Sequence, residues 1–170
     1  WSFKSPWSFQ IAADGVVERI KENGGKTIGF IGFSDSLGET WLQAISKAAK
    51  AANIRIVAVE RFNRTDTSVL SQALKVVAAK PDAVVVGATS AAAAVPQLAI
   101  VDRGYKGPIY HTHATATPDF IRMAGKAAEG AIMPAFPIVV AEQLSDTFPG
   151  KAQAMAFVRA YEGTYGINTR

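Results

Sequence analysis

Hydroxyl side chains gather in four short segments of this sequence, each of which follows an apolar run. They are Ser34, Ser36, Thr65, Thr67, Thr89, Ser90, Thr115 and Thr117. Serine and threonine donate and accept hydrogen bonds without carrying a charge, so the set is suited to binding a small polar ligand. Both residues are also preferred N-caps of helices, and for any single hydroxyl capping is the commoner role. For the set as a whole we expect at least one contact with a ligand.

Catalytic motifs are weak in this chain. The segment at 32–36 places Ser34 directly after an apolar run, as in the nucleophile elbow of α/β-hydrolases, but it ends in Ser36 where that motif requires glycine. The sequence contains neither the glycine spacing of a dinucleotide-binding loop nor that of a P-loop. A small α/β-hydrolase that uses Ser34 or Ser36 stays open as an alternative, but the sequence favours a protein that is not an enzyme.

The sequence contains two histidines and no cysteine. On a strand, the spacing of His111 and His113 would put both imidazoles on the same side, where they could ligate zinc, but no third ligand is indicated. We expect instead a polar strand end or, alternatively, direct contact of His113 with a ligand. The lack of cysteine excludes disulfides, thiolate metal sites and cysteine nucleophiles. No metal and no cofactor is predicted.

Short β-branched runs alternate with longer helical patterns along the chain. The predicted helices are 11–22, 39–52, 68–79, 91–103, one that begins at Thr117, and 151–165. The predicted strands are 27–33, 54–59, 83–87, 108–112 and 130–133. Strands buried on both faces and separated by helices indicate an α/β fold, a three-layer αβα sandwich with a mostly parallel sheet. In such a sheet, the segments that follow the strands lie at one edge, where ligands bind.

Helical spacing predicts which side chains pack on the sheet. In the first helix the apolar stripe runs through Ile11, Val16 and Ile20. In the helix at 68–79, the residues expected to face inward are Leu70, Ala73, Leu74 and Val77.

Aromatic residues are concentrated at the beginning of the chain. They are Trp1, Phe3, Trp7 and Phe9. We expect them to pack against another lobe or, alternatively, to stack on a ligand. A chain that starts at Trp1 rather than at methionine is also expected to be processed or truncated.

Composition excludes several classes of protein. The chain has 170 residues, of which 49% are hydrophobic and 19% charged, so it is expected to fold. Its net charge of +4 comes from basic residues spread along the sequence, so no nucleic-acid partner is expected. No apolar stretch reaches the roughly 18 residues of a membrane-spanning helix. The length fits one domain, or one domain and part of a second.

Several short segments follow one another in an order that is typical of a known family. They are KTIGFI at 26–31, DSLGE at 35–39, DTS at 66–68, KPDAVV at 80–85, GPIY at 107–110, AEG at 128–130, and the aromatic series Phe157, Tyr161 and Tyr165, which is followed by Gly166. In this order they resemble the periplasmic solute-binding proteins of branched-chain amino-acid ABC transporters, which have the two-lobed type I periplasmic binding fold.

The resemblance implies how the chain is divided. Residues 1–11 would cross over from a first lobe, residues 12–133 would form the second, ligand-binding lobe, and residues 134–170 would return toward the first lobe. The main part of the first lobe would lie outside this sequence. The implied function is that of an extracytoplasmic receptor in the periplasm, which passes a small-molecule ligand to a membrane permease. A ligand-sensing module of a regulator is a further alternative.

The resemblance also implies a site. In that family the second lobe closes over the ligand with an aromatic residue, a contact after the third strand and an acidic residue that binds the amine. These fall at Leu37, at Thr89 or Ser90, and at His113, so the aromatic and the acid are both replaced. An ammonium in a dry cleft needs an anionic partner. We therefore expect a carboxylate without an amine, such as an aromatic or branched keto- or hydroxy-acid, rather than a simple α-amino acid. An amino-acid-like ligand stays open as an alternative.

Overall fold

The structure is a computed structural model that describes residues 8–166. The chain forms two compact units, the first of which ends at Pro134 and the second of which begins at Ala135. The assignment of residues 1–11, 12–133 and 134–170 to particular lobes stays a prediction. The aromatic residues Trp1, Phe3 and Trp7 lie outside the described residues.

A five-stranded sheet forms the centre of the first unit. Its strands are β1 (Thr27–Phe33), β2 (Arg55–Phe62), β3 (Ala83–Gly87), β4 (Ile109–His111) and β5 (Ala131–Ile132). They lie in the order β2-β1-β3-β4-β5, and each neighbouring pair is parallel. Parallel strands need crossover connections, which the intervening helices supply.

Six α-helices occur in the described residues. They are α1 (Phe9–Glu22), α2 (Ser36–Ala51), α3 (Leu70–Ala78), α4 (Ala94–Asp102), α5 (Pro118–Ala124) and α6 (Lys151–Tyr165). The side chains of Ser8, Asp35 and Thr117 cap α1, α2 and α5 by accepting hydrogen bonds from first-turn N–H groups. Pro118 occupies the first position of α5, where no N–H is needed.

The two faces of the sheet bury different side chains, as the period of a strand requires. On one face Ile28, Phe30 and Val85 pack with α1 and α2. On the other face Ile31 and Val84 pack with α3, α4 and α5. The predicted three-layer αβα sandwich is therefore confirmed, and the sheet is parallel throughout.

Several predicted bounds are confirmed and others shift. The strands at 27–33 and 83–87 and the helix at 151–165 are found as predicted. The helix expected from 39 begins at Ser36, because Asp35 caps it there. The helix expected at 91–103 is divided into a 3₁₀ turn over Ser90–Ala93 and α4, in which Pro96 lies within the first turn.

The predicted inward face of α3 is confirmed at Ala73 and Val77, which pack in the core, but is wrong at Leu70 and Leu74. Leu70 and Leu74 are 49% and 57% exposed, whereas Ala73 and Val76 are fully buried together with Val69, which precedes the helix. The spacing of residues 69, 73 and 76 also fits one helix face, and it is this face that contacts the sheet. Ile11 on α1 is likewise exposed, at 63%.

The second unit has a small core of its own. A kinked 3₁₀ segment over Pro137–Gln143 packs on α6 through Ala141, Ala154 and Val158. Within residues 8–166, no helix has both the length and the apolar character needed to cross a membrane.

Candidate ligand-binding edge

The carboxyl ends of the parallel strands meet at one edge of the sheet, which we call the carboxyl edge. It consists of the segments that follow β1, β2, β3 and β4, at 34–38, 63–67, 88–90 and 112–117. The beginning of α1 joins it, because the Phe9 ring lies 5.7 Å from the His113 ring and 5.9 Å from the Trp41 ring. In open α/β sheets this edge is where ligands bind.

Ser34 and Ser36 are both exposed at the end of β1. The Ser34 hydroxyl donates a 2.8 Å hydrogen bond to Oδ1 of Asn63. An amide oxygen is not a base that could activate a serine, so the contact gives no support to a hydrolase. Ser36 is the first residue of α2, and its carbonyl accepts the Thr40 hydroxyl at 2.7 Å. Leu37 follows it, partly buried against the core.

Asp35 occupies the N-terminus of α2, where an anionic ligand could otherwise bind. Its Oδ1 accepts the N–H groups of Leu37 at 3.0 Å and Gly38 at 3.1 Å, and its Oδ2 accepts Arg64 Nε at 2.5 Å. Burial opposes ionisation, but the Gly38 N–H and the Arg64 guanidinium outweigh it and hold the pKa of Asp35 below its usual value. The first-turn donors that helices offer to anions are therefore already used.

Glu39, which follows the first of these segments, and Asp66 are also engaged within the protein. Arg61 donates to both carboxylate oxygens of Glu39 through Nε and Nη2, and its hydrogen bond lowers the pKa of that carboxyl group. Asp66 accepts the backbone N–H of Asn63 at 2.8 Å. The carboxylates at the ends of β1 and β2 are thus engaged within the protein.

Thr89 and Ser90 are half-buried after β3. Ser90 adopts a φ of 48°, in the left-handed region that a residue with a side chain rarely occupies. Its hydroxyl lies 3.3 Å from that of Thr117, which brings the segments after β3 and β4 together. Strained residues of this kind are concentrated at ligand-binding positions.

Thr115, which we predicted as a ligand contact, is fully buried. Its hydroxyl donates to the carbonyl of Ala88 at 3.2 Å, and the buried Thr112 hydroxyl donates to the same carbonyl at 2.8 Å. Both threonines therefore hold the segment after β4 against the segment after β3. The Thr115 hydroxyl points into the protein, so burial does not support the ligand contact predicted for it.

The two histidines lie on opposite faces of the sheet, contrary to the prediction. His111 is fully buried on β4, where its Nε2 lies 2.8 Å from Oε1 of Gln97 and its ring packs edge-on against Phe120. His113 comes after the strand has ended, and its ring contacts Phe9 on α1. The chain turns at Thr112, so strand alternation no longer applies.

Burial keeps both imidazoles neutral. It lowers the pKa of His111 to about 3 and also lowers the pKa of His113. Because the rings point to opposite faces, they cannot share a zinc ion. In the part of the chain that the structure describes, no three histidine or acidic side chains are grouped for a metal.

A groove of about 570 Å³ lies between α1 and α2. It is lined by Val17, Glu18, Lys21 and Ala48, which belong to the C-terminal halves of both helices. Those ends are far from the carboxyl edge, since α2 begins there. The groove is therefore separate from the predicted site.

Comparison with known proteins shows the family. A model of the periplasmic binding protein family matches residues 1–169, so the chain belongs to this family. A solved extracellular ligand-binding receptor from Rhodopseudomonas palustris is 47% identical with a TM-score of 0.89, and the match covers 100% of this chain and 47% of the receptor. A second receptor, from Rhodopseudomonas palustris HaA2, is 46% identical with a TM-score of 0.89 and is covered to 48%.

More distant relatives share the fold. A protein from Rhodospirillum rubrum, provisionally described as a branched-chain amino acid ABC transporter, is 24% identical with a TM-score of 0.77. The match covers 94% of this chain and 43% of that protein. The chain thus spans about half the length of the solved proteins it matches. No curated protein matches it. The predicted resemblance to periplasmic solute-binding proteins is confirmed.

Proposed function

We propose that this chain is the ligand-binding lobe of the extracytoplasmic solute-binding component of an ABC importer. It works in the periplasm and binds a small organic acid against the carboxyl edge. Membership of the periplasmic binding protein family supports the receptor role. The membrane permease of the importer is its protein partner, and the ligand leaves chemically unchanged.

One observation carries the choice of ligand: the carboxylates that lie at the start of α2 are already paired with arginines of the protein. Asp35 is bound to Arg64 and to the α2 N-terminus, and Glu39 is bound to Arg61. The position at which the family resemblance predicts an amine-binding acid holds His113, whose pKa is lowered by burial. An ammonium buried here would lose its hydration without gaining an anionic partner.

The same edge suits an acid with an apolar body. Leu37 and Phe9 supply partly buried apolar surface, and Thr89 and Ser90 supply half-buried hydroxyls. Hydroxyls can bind a keto or hydroxy oxygen next to the carboxylate. An aromatic or branched keto- or hydroxy-acid combines these features.

Isothermal titration calorimetry of the full-length protein tests the proposal with two matched sets of ligands. The first set is leucine, ketoleucine and leucic acid, and the second is phenylalanine, phenylpyruvate and phenyllactate. We expect at least one keto- or hydroxy-acid to bind at least tenfold more tightly than the amino acid with the same side chain. Tight binding of leucine or phenylalanine, with weaker binding of the matching acids, would contradict the proposal.

A further inference from the structure

A groove runs along the outer side of α1 and α2. The two helices are parallel neighbours, because the Gln10 side chain at the start of α1 donates to the Ala44 carbonyl on α2 at 3.4 Å, and residues 14–22 line the groove together with residues 48–52. A cavity of about 350 Å³ occupies the N-terminal part of the groove and one of about 570 Å³ occupies the C-terminal part. Alanines of α2 line it throughout, so a ridge of side chains from another helix can approach closely. We call the outer side of these two helices the α1–α2 face.

The two walls of the α1–α2 face carry opposite charges. Three exposed acids follow one another along α1 at intervals of four residues, a spacing that puts them on the same side of the helix: Asp14, Glu18 and Glu22. One lysine, Lys21, lies beside them, so the α1 wall keeps an excess of acidic charge. The second half of α2 exposes two charged residues, and both are lysines, Lys47 and Lys50. The face therefore has an acidic stripe on α1 and a basic stripe on α2.

Most of these charges are not used within the chain. Among residues 8–166, the side chains of Glu18 and Lys47 form no ion pair and no hydrogen bond. Asp14 accepts the Gln10 side chain at 2.8 Å but has no cationic partner, and Glu22 is paired within its own helix. Unpaired charges of opposite sign on two parallel walls fit a partner that carries the same two stripes in exchanged positions.

A second copy of the protein carries these stripes in the required positions. If a twofold axis parallel to the helices relates the two copies, α1 of each copy lies over α2 of the other at the same height along the axis. Asp14 lies one turn after Gln10, and Lys47 lies almost one turn after Ala44, so at about 1.5 Å per residue their heights differ by only about 1.5 Å. Asp14 of one copy therefore meets Lys47 of the other, and the symmetry makes this contact twice. A twofold axis that runs across the helices would instead place one acidic stripe on the other.

The size of the α1–α2 face limits the strength of such a contact. The two helices have 14 and 16 residues. Each is therefore about 21–24 Å long, and two neighbours about 10 Å apart offer a surface of roughly 20 by 20 Å. This is about half of the ~800 Å² that each partner buries in a standard interface, so we expect a dissociation constant of roughly 10–100 µM. Ile11, which is 63% exposed, adds apolar surface, and Gly15 lies one turn later, where an added Cβ would meet no described atom within 4 Å.

We propose that the α1–α2 face is a self-association surface, on which a second copy of the protein docks about a twofold axis parallel to the two helices. Asp14 binds the partner's Lys47, and Glu18 and Lys50 extend the pairing along the next turn. The face is turned away from the sheet, whereas the ligand is proposed to bind at the carboxyl edge. Association therefore goes beyond the proposed function and does not depend on it.

Sedimentation equilibrium of the full-length protein measures this association. The average mass of wild-type protein should rise toward that of a dimer between roughly 1 µM and 1 mM, and it should rise less at high salt, which screens exposed charges. Asp14→Lys and Lys47→Glu should each weaken association at least about tenfold, because like charges then meet twice. Asp102→Lys is the matched control. It makes the same change in charge at an exposed position of α4, which packs on the other face of the sheet, and should weaken association less than about twofold.

A mixture of the two charge-reversed variants is the sharpest test. When one molecule of each variant pairs with the other, the two introduced charges face each other with opposite sign, and so do the two unchanged residues. An equimolar mixture of Asp14→Lys and Lys47→Glu should therefore associate about as strongly as wild-type protein, a rescue that misfolded variants would not show. The proposal is overturned if wild-type protein stays monomeric over the whole range, if either variant associates as wild-type protein does, or if the mixture associates no better than its components. No ligand is present, so these outcomes leave the proposed function untouched.

Discussion

Two aspartates, one at each end of the sheet, show how its two edges differ. Asp82 precedes β3 at the amino edge, and its Oδ2 accepts the N–H groups of Lys26 and Thr27 and the Thr27 hydroxyl at 2.8–2.9 Å. The Thr27 hydroxyl in turn accepts the N–H of Asp82 at 2.9 Å. Asp35 also accepts two backbone N–H groups, but its remaining oxygen binds the half-exposed Arg64.

We call the amino edge closed, because the hydrogen bonds of Asp82 are all made within the protein, and we call the carboxyl edge open. At the amino edge the hydrogen bonds are reciprocal and join β1 to the beginning of β3, so their role is to hold the strands together. The Lys26 N–H is the main cause of the lowered pKa of Asp82. At the carboxyl edge the network ends on guanidinium nitrogens that face outward. Changes at the closed edge should therefore alter stability alone, and changes at the open edge should alter binding.

The largest change in the free energy of unfolding is expected from Gly38→Ala. This substitution tests whether the open edge has a rigid backbone. A Cβ here would overlap the Phe33 carbonyl oxygen and lie 2.7 Å from its carbonyl carbon. Because both atoms are backbone, α2 would have to move away from β1, at a cost of roughly 3 kcal/mol in the free energy of unfolding. Urea denaturation measures this cost.

Gly15→Ala is the matched control on α1. No described atom lies within 4 Å of a Cβ added there, so alanine should stabilise the helix by about 0.5–1 kcal/mol. Equal effects of the two substitutions would show that the start of α2 is not tightly packed.

The second largest effect is a pH dependence of the free energy of unfolding, caused by His111. This residue lies where β4 reaches the carboxyl edge. Its folded-state pKa is about 3 against 6.5 for a free imidazole, so protons bind to the unfolded chain first. The free energy of unfolding should therefore be highest above pH 6.5 and fall by about 2 kcal/mol on going to pH 5. His113 contributes with the same sign, because burial lowers its pKa too.

His111→Gln isolates the contribution of this residue, since glutamine can still donate to Gln97. Chemical denaturation of the variant at several pH values should show a shallower loss of stability than in wild-type protein. An identical slope in both proteins would mean that His111 is not held neutral in the folded state.

A smaller loss of stability is expected from Thr27→Val at the closed edge. Valine has the shape of threonine but cannot bond to Asp82, so the free energy of unfolding should fall by about 1 kcal/mol. Affinity for phenyllactate should not change. A weaker affinity for phenyllactate in this variant would show that the closed edge also contributes to binding, which would contradict the comparison.

The smallest effect on stability is expected from Arg64→Gln. The ion pair it breaks is largely exposed, and such pairs contribute about 0–1 kcal/mol, so the free energy of unfolding should change by less than about 0.5 kcal/mol. Thermal denaturation measured alongside the binding assays checks this. A large loss of stability would place Arg64 among the structural residues, with Asp82.

Local pattern was enough to predict the layers of the fold. The run at 27–33 and the run at 83–87 are continuously apolar, and a strand buried on both faces is what such runs form. Which face of α3 is buried could not be predicted, because Leu70 and Val69 begin two apolar stripes that differ only by one residue. The choice between them depends on contacts with the sheet.

The candidate site was predicted only in outline. The segments after the strands were expected at one edge, yet the pairing of Asp35 with Arg64 joins residues 29 positions apart and has no local signal. The burial of Thr115 also depends on a distant carbonyl, that of Ala88. The one clue in the sequence was that Arg64, a charged residue, lies in a segment at the carboxyl edge.

A crystal structure of the full-length protein with phenyllactate bound tests the central claim most directly. The account predicts the ligand against the carboxyl edge, with its body near Leu37 and His113. A ligand seated instead at the amino edge, in the groove lined by Asn23 and Asp82, would contradict it.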